Sequence, residues 1–266
     1  MSARLLTDEL WNEIEALFPV YEPSPDGGRP PVENRVVLTC ILFVLKTGIA
    51  WEDLPLEMGC SYKTCKRRLA EWSELGIWQL IFLKLLTRLR AAGRLQLADV
   101  LIDAGLVKAP LGGQKTGPNP TDRGRSGSKY HLMTTLTGIP LAVTLTEANL
   151  HDLRQLLPLV FLEFPSIGGK PGRPLDRPRS VTTDKGYDCQ TTRDLLASVG
   201  IETHIPKRGT DDTNHLGRVR WPIERTLSWL KQFRRLRIRW ERLSHLHEAF
   251  LTLGCSLIAW RHLTGQ

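Results

Sequence analysis

Three acidic residues stand where folding alone gives little reason for them. Asp103 interrupts the apolar run Leu101-Ile102-Asp103-Ala104, and an ionised carboxylate in a buried strand is costly unless a cation or hydrogen bonds offset it. Asp184 repeats the pattern at the end of Val181-Thr182-Thr183, with Gly186 close behind to allow a tight turn. Glu224 lies in Arg220-Trp221-Pro222-Ile223-Glu224-Arg225-Thr226-Leu227-Ser228-Trp229-Leu230-Lys231. At about 100° per residue, Arg220, Glu224 and Lys231 share one edge of a helix, while Leu227 and Leu230 turn towards a core. Each feature has an ordinary reading, since local amides can satisfy a strand-end carboxylate and a charged stripe is commonly a helix's solvated face. Taken together they suggest chemistry. Hard divalent cations such as Mg²⁺ prefer carboxylate oxygens. Two such ions about 3.5–4 Å apart can activate an attacking water and stabilise the leaving oxygen of a phosphodiester. Zinc would ask for histidine or cysteine, and none sits beside these acids.

The elements that must position these acids can be read from periodicity. Thr7 caps a helix with Leu10, Ile14, Leu17 and Phe18 on one face, stopped at Pro19. Residues 21–31, rich in Pro and Gly, form a linker. Asn34 caps an apolar helix from Val36 to Lys46 that ends at Gly48. Ser61 caps another, with Lys63, Lys66, Arg67 and Arg68 on one flank and Leu69 and Trp72 on the other. Ile77 to Ala92 presents Leu80, Leu83, Leu86 and Leu89, so residues 1–95 are expected to be helical throughout.

The pattern changes after Gly93. Asp99 to Lys108 reads as a buried strand, and Tyr130 to Leu136 with Leu141 to Leu145 as a hairpin around Thr137-Gly138-Ile139. Leu153 to Phe164 is helical, Val181 to Thr183 a strand, Thr191 to Ser198 a helix, and Ile201 to Ile205 a strand. A helix begins near Trp221, with Pro222 in its first turn. The expected fold class from residue 96 to 266 is mixed α/β. Open α/β sheets bind ligands beyond the carboxyl ends of their strands, so Asp103 and Asp184 can face one another there.

Composition narrows the class. Among 266 residues, 41% are hydrophobic and 24% charged, which excludes a disordered tail, a collagen-like fibre and a disulfide-stapled miniprotein. Lys and Arg number 36 against 28 acids, a net charge of +8, which suggests a polyanionic partner without separating nucleic acid from acidic lipid. The longest apolar stretch, Val36 to Leu45, is broken by Thr39 and is far short of the about 20 residues a membrane span needs. Asp8 and Glu9 occupy the place of a signal's apolar region. A cytoplasmic, nucleoid-associated protein without membrane contact is expected. Cys60 and Cys65 lack further zinc ligands and read as buried thiols. Between 218 and 242, nine Lys/Arg stand against Glu224 and Glu241, which suits a DNA track, with a solvated basic helix as the plain alternative. Trp221, Trp229, Trp240 and Trp260 are expected in the core.

These residues resemble a known family. Arg220, Glu224 and Lys231, followed by Phe233-Arg234-Arg235-Leu236-Arg237, are similar to the Arg-Glu-Lys signature of DDE transposases of the bacterial insertion sequence five family. Asp184-Lys185-Gly186-Tyr187-Asp188 resembles the segment of the second aspartate, and Ile102-Asp103-Ala104 that of the first. Gly28-Arg29-Pro30-Pro31-Val32, Lys46-Thr47-Gly48 with Trp51, and Asp53-Leu54-Pro55 resemble its N-terminal helical region. In two places the chain departs from the pattern: Ala104-Gly105 replaces a Ser-Thr common in relatives, and Gly217 falls where a signature tyrosine would stand.

The resemblance implies a ribonuclease H-like catalytic domain over 96–266, preceded by an all-helical, helix-turn-helix-like DNA-binding domain over 1–95. It also implies two Mg²⁺ ions, with Mn²⁺ able to substitute, held by Asp103, Asp184 and Glu224, and movement of an element between its terminal inverted repeats. DNA contacts are expected from Arg220, Lys231, Arg225, Arg234, Arg235 and Arg237 beside the acids. Others are expected from Lys129 in the region after the first strand and from Lys63, Lys66, Arg67 and Arg68 in the helical region. A homodimer on DNA follows from the need to cut two ends. The rival readings are a catalytically silent DNA-binding regulator derived from a transposase and a metal-dependent nuclease of the same fold. His151-Asp152 is expected to hold a helix start.

Overall fold

A computed structural model describes residues 5–265, apart from 23, 24, 26, 29, 208 and 210–215 and the side chains of 216–218. Four helices come first: α1 (Asp8–Ile14), α2 (Asn34–Thr47), α3 (Tyr62–Glu74) and α4 (Ile77–Ala91). Thr7 and Ser61 cap α1 and α3 as expected, their hydroxyls accepting from the Leu10 and Thr64 amides at 3.3 Å each. Asn34 does not cap α2. Glu33 holds the cap position without a side-chain bond, and the Asn34 amide instead donates to the Pro19 carbonyl at 2.8 Å. On α4 the buried face runs through Ile81, Phe82, Leu85, Leu86 and Leu89, leaving Leu80 and Leu83 exposed.

The remaining chain builds a six-stranded sheet from β1 (Asp99–Lys108), β2 (Gly117–Pro118), β3 (Ser126–Thr135), β4 (Pro140–Glu147), β5 (Ser180–Thr182) and β6 (Glu202–His204). The long β1 is central. It pairs antiparallel with β3 on one side and parallel with β5 on the other, and β5 pairs parallel with β6. Both β2 and β4 pair antiparallel with β3. The helices are α5 (Leu153–Phe161), α6 (Gln190–Ser198), α7 (Leu216–Gln232) and α8 (Ser244–Thr264). α7 begins upstream of Trp221 and carries Pro222 inside it, where the missing N–H removes one ladder bond without ending the helix.

α8 is apolar around most of its circumference, burying Ala249, Phe250, Leu253, Ile258 and Trp260 among others, because it lies between the N-terminal helices and the sheet and packs on α3, α4 and β4. One continuous apolar cluster consequently runs from Leu6 to Trp260 through both the helical segment and the sheet. A second tie joins the end of α2 to the turn after α7. Gly48 (φ 71°) lies so close that an added Cβ would stand 2.8 Å from the Arg234 Cβ, and Arg235 donates to the Ile49 carbonyl at 2.8 Å. Cys60 and Cys65 are buried free thiols with their sulfurs 3.5 Å apart. Among the described residues no helix is long and apolar enough to cross a membrane.

Candidate active site

The register of β1 on β5 sets the site. Asp99, Val100 and Leu101 lie opposite Ser180, Val181 and Thr182. Asp103 and Asp184 each lie two residues beyond the last pair of this register, Asp184 in the turn after β5, and the charge of Asp184 is felt at Asp103. Asp184 caps a short turn, its Oδ1 accepting the Gly186 amide at 2.8 Å. Asp103 accepts the Ala104 amide on Oδ1 at 2.8 Å and Arg220 Nη2 on Oδ2 at 2.8 Å. Burial pushes the Asp103 carboxyl above its ordinary range, Arg220 and the Ala104 amide oppose that push, and the charge of Asp184 adds to it. The two acids therefore sense one another.

Arg220 reaches Asp103 because α7 is docked on the turn between β3 and β4. Thr226 Oγ1 donates to the Gly138 carbonyl at 2.6 Å, and Arg225 Nη2 to the Thr137 carbonyl at 2.7 Å. Gly138 adopts φ 83°, and a Cβ there would lie 2.8 Å from the Pro222 carbonyl oxygen, so the turn accepts no side chain at that point. The Arg225 guanidinium is half-buried and stacks 4.4 Å from the rings of both Trp221 and Trp229.

Glu224 follows Arg220 by one turn on the same edge of α7, but its side chain is exposed. Among the described residues no group of three or more His, Cys, Asp or Glu is arranged to hold a metal. The donor chemistry of Asp103 and Asp184 suits a hard cation, because they are two partly buried carboxylates whose charges act on one another. The third carboxylate stands at the rim, and a guanidinium fills the charge requirement.

Several expected DNA contacts lie inside the protein. Arg235 is 4% exposed and pairs with Glu241 at 2.6 Å. Arg68 is 2% exposed, lies over the Tyr21 ring and has Glu71 3.9 Å away. Lys129 is 8% exposed, with its ammonium on Asp152 at 2.6 Å and on the Leu150 carbonyl at 2.8 Å. These three are corrected to internal roles: each charge is taken from water, and a buried charge is tolerated only when paired or stacked. Lys63, Lys66, Arg67, Lys231, Arg234 and Arg237 are exposed. Trp221 and Trp240 are 50% and 39% exposed, so neither belongs to the core. At the start of α5 the Leu153 amide donates to His151 Nδ1 at 3.3 Å, whereas Asp152 makes no cap bond and serves Lys129.

Two tyrosines stand near the acids: Tyr187, within the Asp184–Asp188 segment, and Tyr130 on β3, which no motif marks. Tyr187 is fully buried, its hydroxyl has no hydrogen-bond partner, and burial followed by the charges of Asp152, Asp103 and Asp184 raises its pKa. Tyr130 is also buried with an unpartnered hydroxyl, and its ring occupies the space a side chain at Gly105 would need. That close approach accounts for the glycine two residues after Asp103. The alternating pattern of β3 points Tyr130 inward, and its partner across the register, Gly105, shows why.

Comparison with known proteins follows the same division of the chain. A family model described as "Transposase DDE domain" matches residues 96–259, and one described as "Putative transposase of IS4/5 family" matches residues 6–82. The chain is 54% identical over 152 residues to a Burkholderia cepacia protein named "Putative transposase for insertion sequence element IS402", covering 57% of this chain and 72% of that protein. A second protein of that organism, "Insertion element IS402 uncharacterized 16.2 kDa protein", is 46% identical over 123 residues, or 45% of this chain and 84% of the relative. Among solved structures, the Mos1 strand transfer complex aligns over 91% of this chain and 81% of that one, at 12% identity and a TM-score of 0.26. A likeness that low carries no argument about this fold.

Proposed function

Because the chain belongs to the transposases with a DDE domain, in the IS4/5 family, we propose that it cleaves phosphodiesters at the terminal inverted repeats of an insertion sequence and joins the freed 3′ hydroxyls to target DNA. The observation that carries this reading is the nearness of Asp103, within β1, to Asp184, just after the parallel strand β5, with Arg220 of α7 bonded to Asp103. The sheet order, a long central strand with an antiparallel hairpin on one side and two parallel strands on the other, supports a ribonuclease H-like domain over 96–266. The capped α3 after an apolar helix and a turn supports a helix-turn-helix-like DNA-binding domain over 1–95.

Asp103, Asp184 and Glu224 would hold divalent ions, Mg²⁺ or Mn²⁺ in its place. When bound, such ions make water a nucleophile at neutral pH and stabilise the leaving oxygen. The chain's own residues do the rest. Asp103, within β1, and Asp184, just after β5, fix the reaction's position on the sheet. Lys231, Arg234 and Arg237 hold the phosphate backbone near them, and Lys63, Lys66 and Arg67 hold the DNA end elsewhere. Two copies act together, one for each end.

The test supplies Mg²⁺ and labelled terminal-repeat DNA. Cut and joined product is the expected result. Cutting without joining would make the protein a nuclease, and binding without any product a DNA-binding regulator.

A further inference from the structure

The site holds a cation already, and it is a side chain. Asp103 is partly buried, 16% exposed, with the charge of Asp184 acting on it, an arrangement that leaves negative charge short of solvent. Arg220 answers it with a single bond, Nη2 to Oδ2 at 2.8 Å, rather than the bidentate fork a guanidinium can make with a carboxylate. Its Nε is buried and has no hydrogen-bond partner, so this side chain is not fully spent where it lies. Glu224, one turn along the same helix edge, faces solvent. The helix is anchored to the β3–β4 turn at Arg225 and Thr226, more than a turn beyond Arg220.

We infer that in the DNA-free protein Arg220 stands in for a divalent ion at Asp103, so that the guanidinium and the metal compete for the same carboxylate oxygen. The inference rests on the metal-binding reading of these acids proposed above. Loading then has two linked parts: Arg220 leaves Asp103, and Glu224 becomes the third carboxylate. A DNA phosphate arriving beside α7 would offer Arg220 a new anion and thereby free Asp103, which couples substrate binding to metal binding without any further element. The same ion pair keeps a loaded nuclease centre from persisting away from DNA.

The experiment is Mn²⁺ binding to the full chain without DNA, followed by the electron paramagnetic resonance of free Mn²⁺. Arg220→Gln is expected to bind Mn²⁺ about tenfold or more tightly than the wild type, because one charge-assisted competitor has gone. Lys231→Gln removes an equal charge from the same helix edge without touching Asp103, and is expected to change affinity far less. Adding Asp103→Asn to Arg220→Gln should erase the gain. In thermal melting without metal, Arg220→Gln should melt lower than the wild type and recover with Mn²⁺. If Arg220→Gln does not fold, Arg220→Lys, which keeps the charge but loses the planar fork, should show a smaller gain in the same direction. Equal gains for Arg220→Gln and Lys231→Gln would overturn the inference in favour of general electrostatics and leave the metal site standing. No Mn²⁺ binding by any variant, with or without DNA, would overturn both.

Discussion

Within the basic run from 218 to 242, neighbouring residues of one type have opposite fates. Arg234 and Arg237 point outward, whereas Arg235 and Arg239 are buried. Arg235 lies between Glu241 and the Ile49 carbonyl. Arg239 reaches Ser128 Oγ at 2.6 Å and the Glu241 carbonyl at 2.9 Å. The outward set can meet a polyanion in solution, and the inward set holds the turn after α7 against the helical segment and the sheet. Counting nine basic residues treats these as one surface. Charge density therefore reports affinity only after the paired interior charges have been removed from the count.

Four variants test the division between inward and outward charges. The largest effect belongs to the acids of the candidate site. Asp184→Asn should lower cleavage of terminal-repeat DNA by about 10³-fold or more, roughly 4 kcal/mol of transition-state stabilisation, with binding in a gel-shift assay nearly unchanged. Next comes Arg235→Ala, which strands Glu241 in the interior and should cost roughly 3–5 kcal/mol in chemical denaturation. A loss below about 1 kcal/mol would place Arg235 with the outward set.

A third test uses pH. Burial lowers the His131 pKa to about 4, below the about 6.5 of an unfolded chain. Between those values the unfolded chain takes up a proton that the native state refuses, so stability falls as pH drops from about 6.5 to about 4 and this contribution then levels off. The part due to His131 should be on the order of 3 kcal/mol and should be missing in His131→Gln, while His247 and His262, whose pKa values burial also lowers, keep theirs. The smallest effect on folding is expected from the triple variant Lys231→Gln, Arg234→Gln, Arg237→Gln. Its unfolding free energy should stay within about 0.5 kcal/mol of the wild type, while the slope of DNA affinity against salt, on logarithmic axes, shrinks by about 0.9 for each phosphate left without its cation.

Much of the fold is legible in the sequence. β1 is found over Asp99–Lys108 as its apolar run suggests, with Asp103 the acid that breaks the run. α3 follows its Ser61 cap, and the hairpin turns at Thr137-Gly138. What could not be read is which charges find partners across the fold. Arg235 meets Glu241 six residues away only because the chain reverses after α7, and Lys129 meets Asp152 only because β3 and the start of α5 come together. The direction of Glu224 was equally hidden, since helical spacing aligns it with Arg220 but does not choose between the acids and solvent. Pro222 misled on the start of α7 because an interior proline costs one bond and the docked Gly138 turn supports the helix there.

The tie between Gly48, Ile49 and the Arg234-Arg235 turn, added to the shared apolar cluster, mounts α3 and the acids on one packed frame. If α3 grips a DNA end, the distance from grip to cut is gauged by the frame rather than by a tether. Inserting about five base pairs between the gripped sequence and the scissile phosphate, half a helical turn, would present the wrong side of the duplex to Asp103 and Asp184, and the frame offers no slack to follow it.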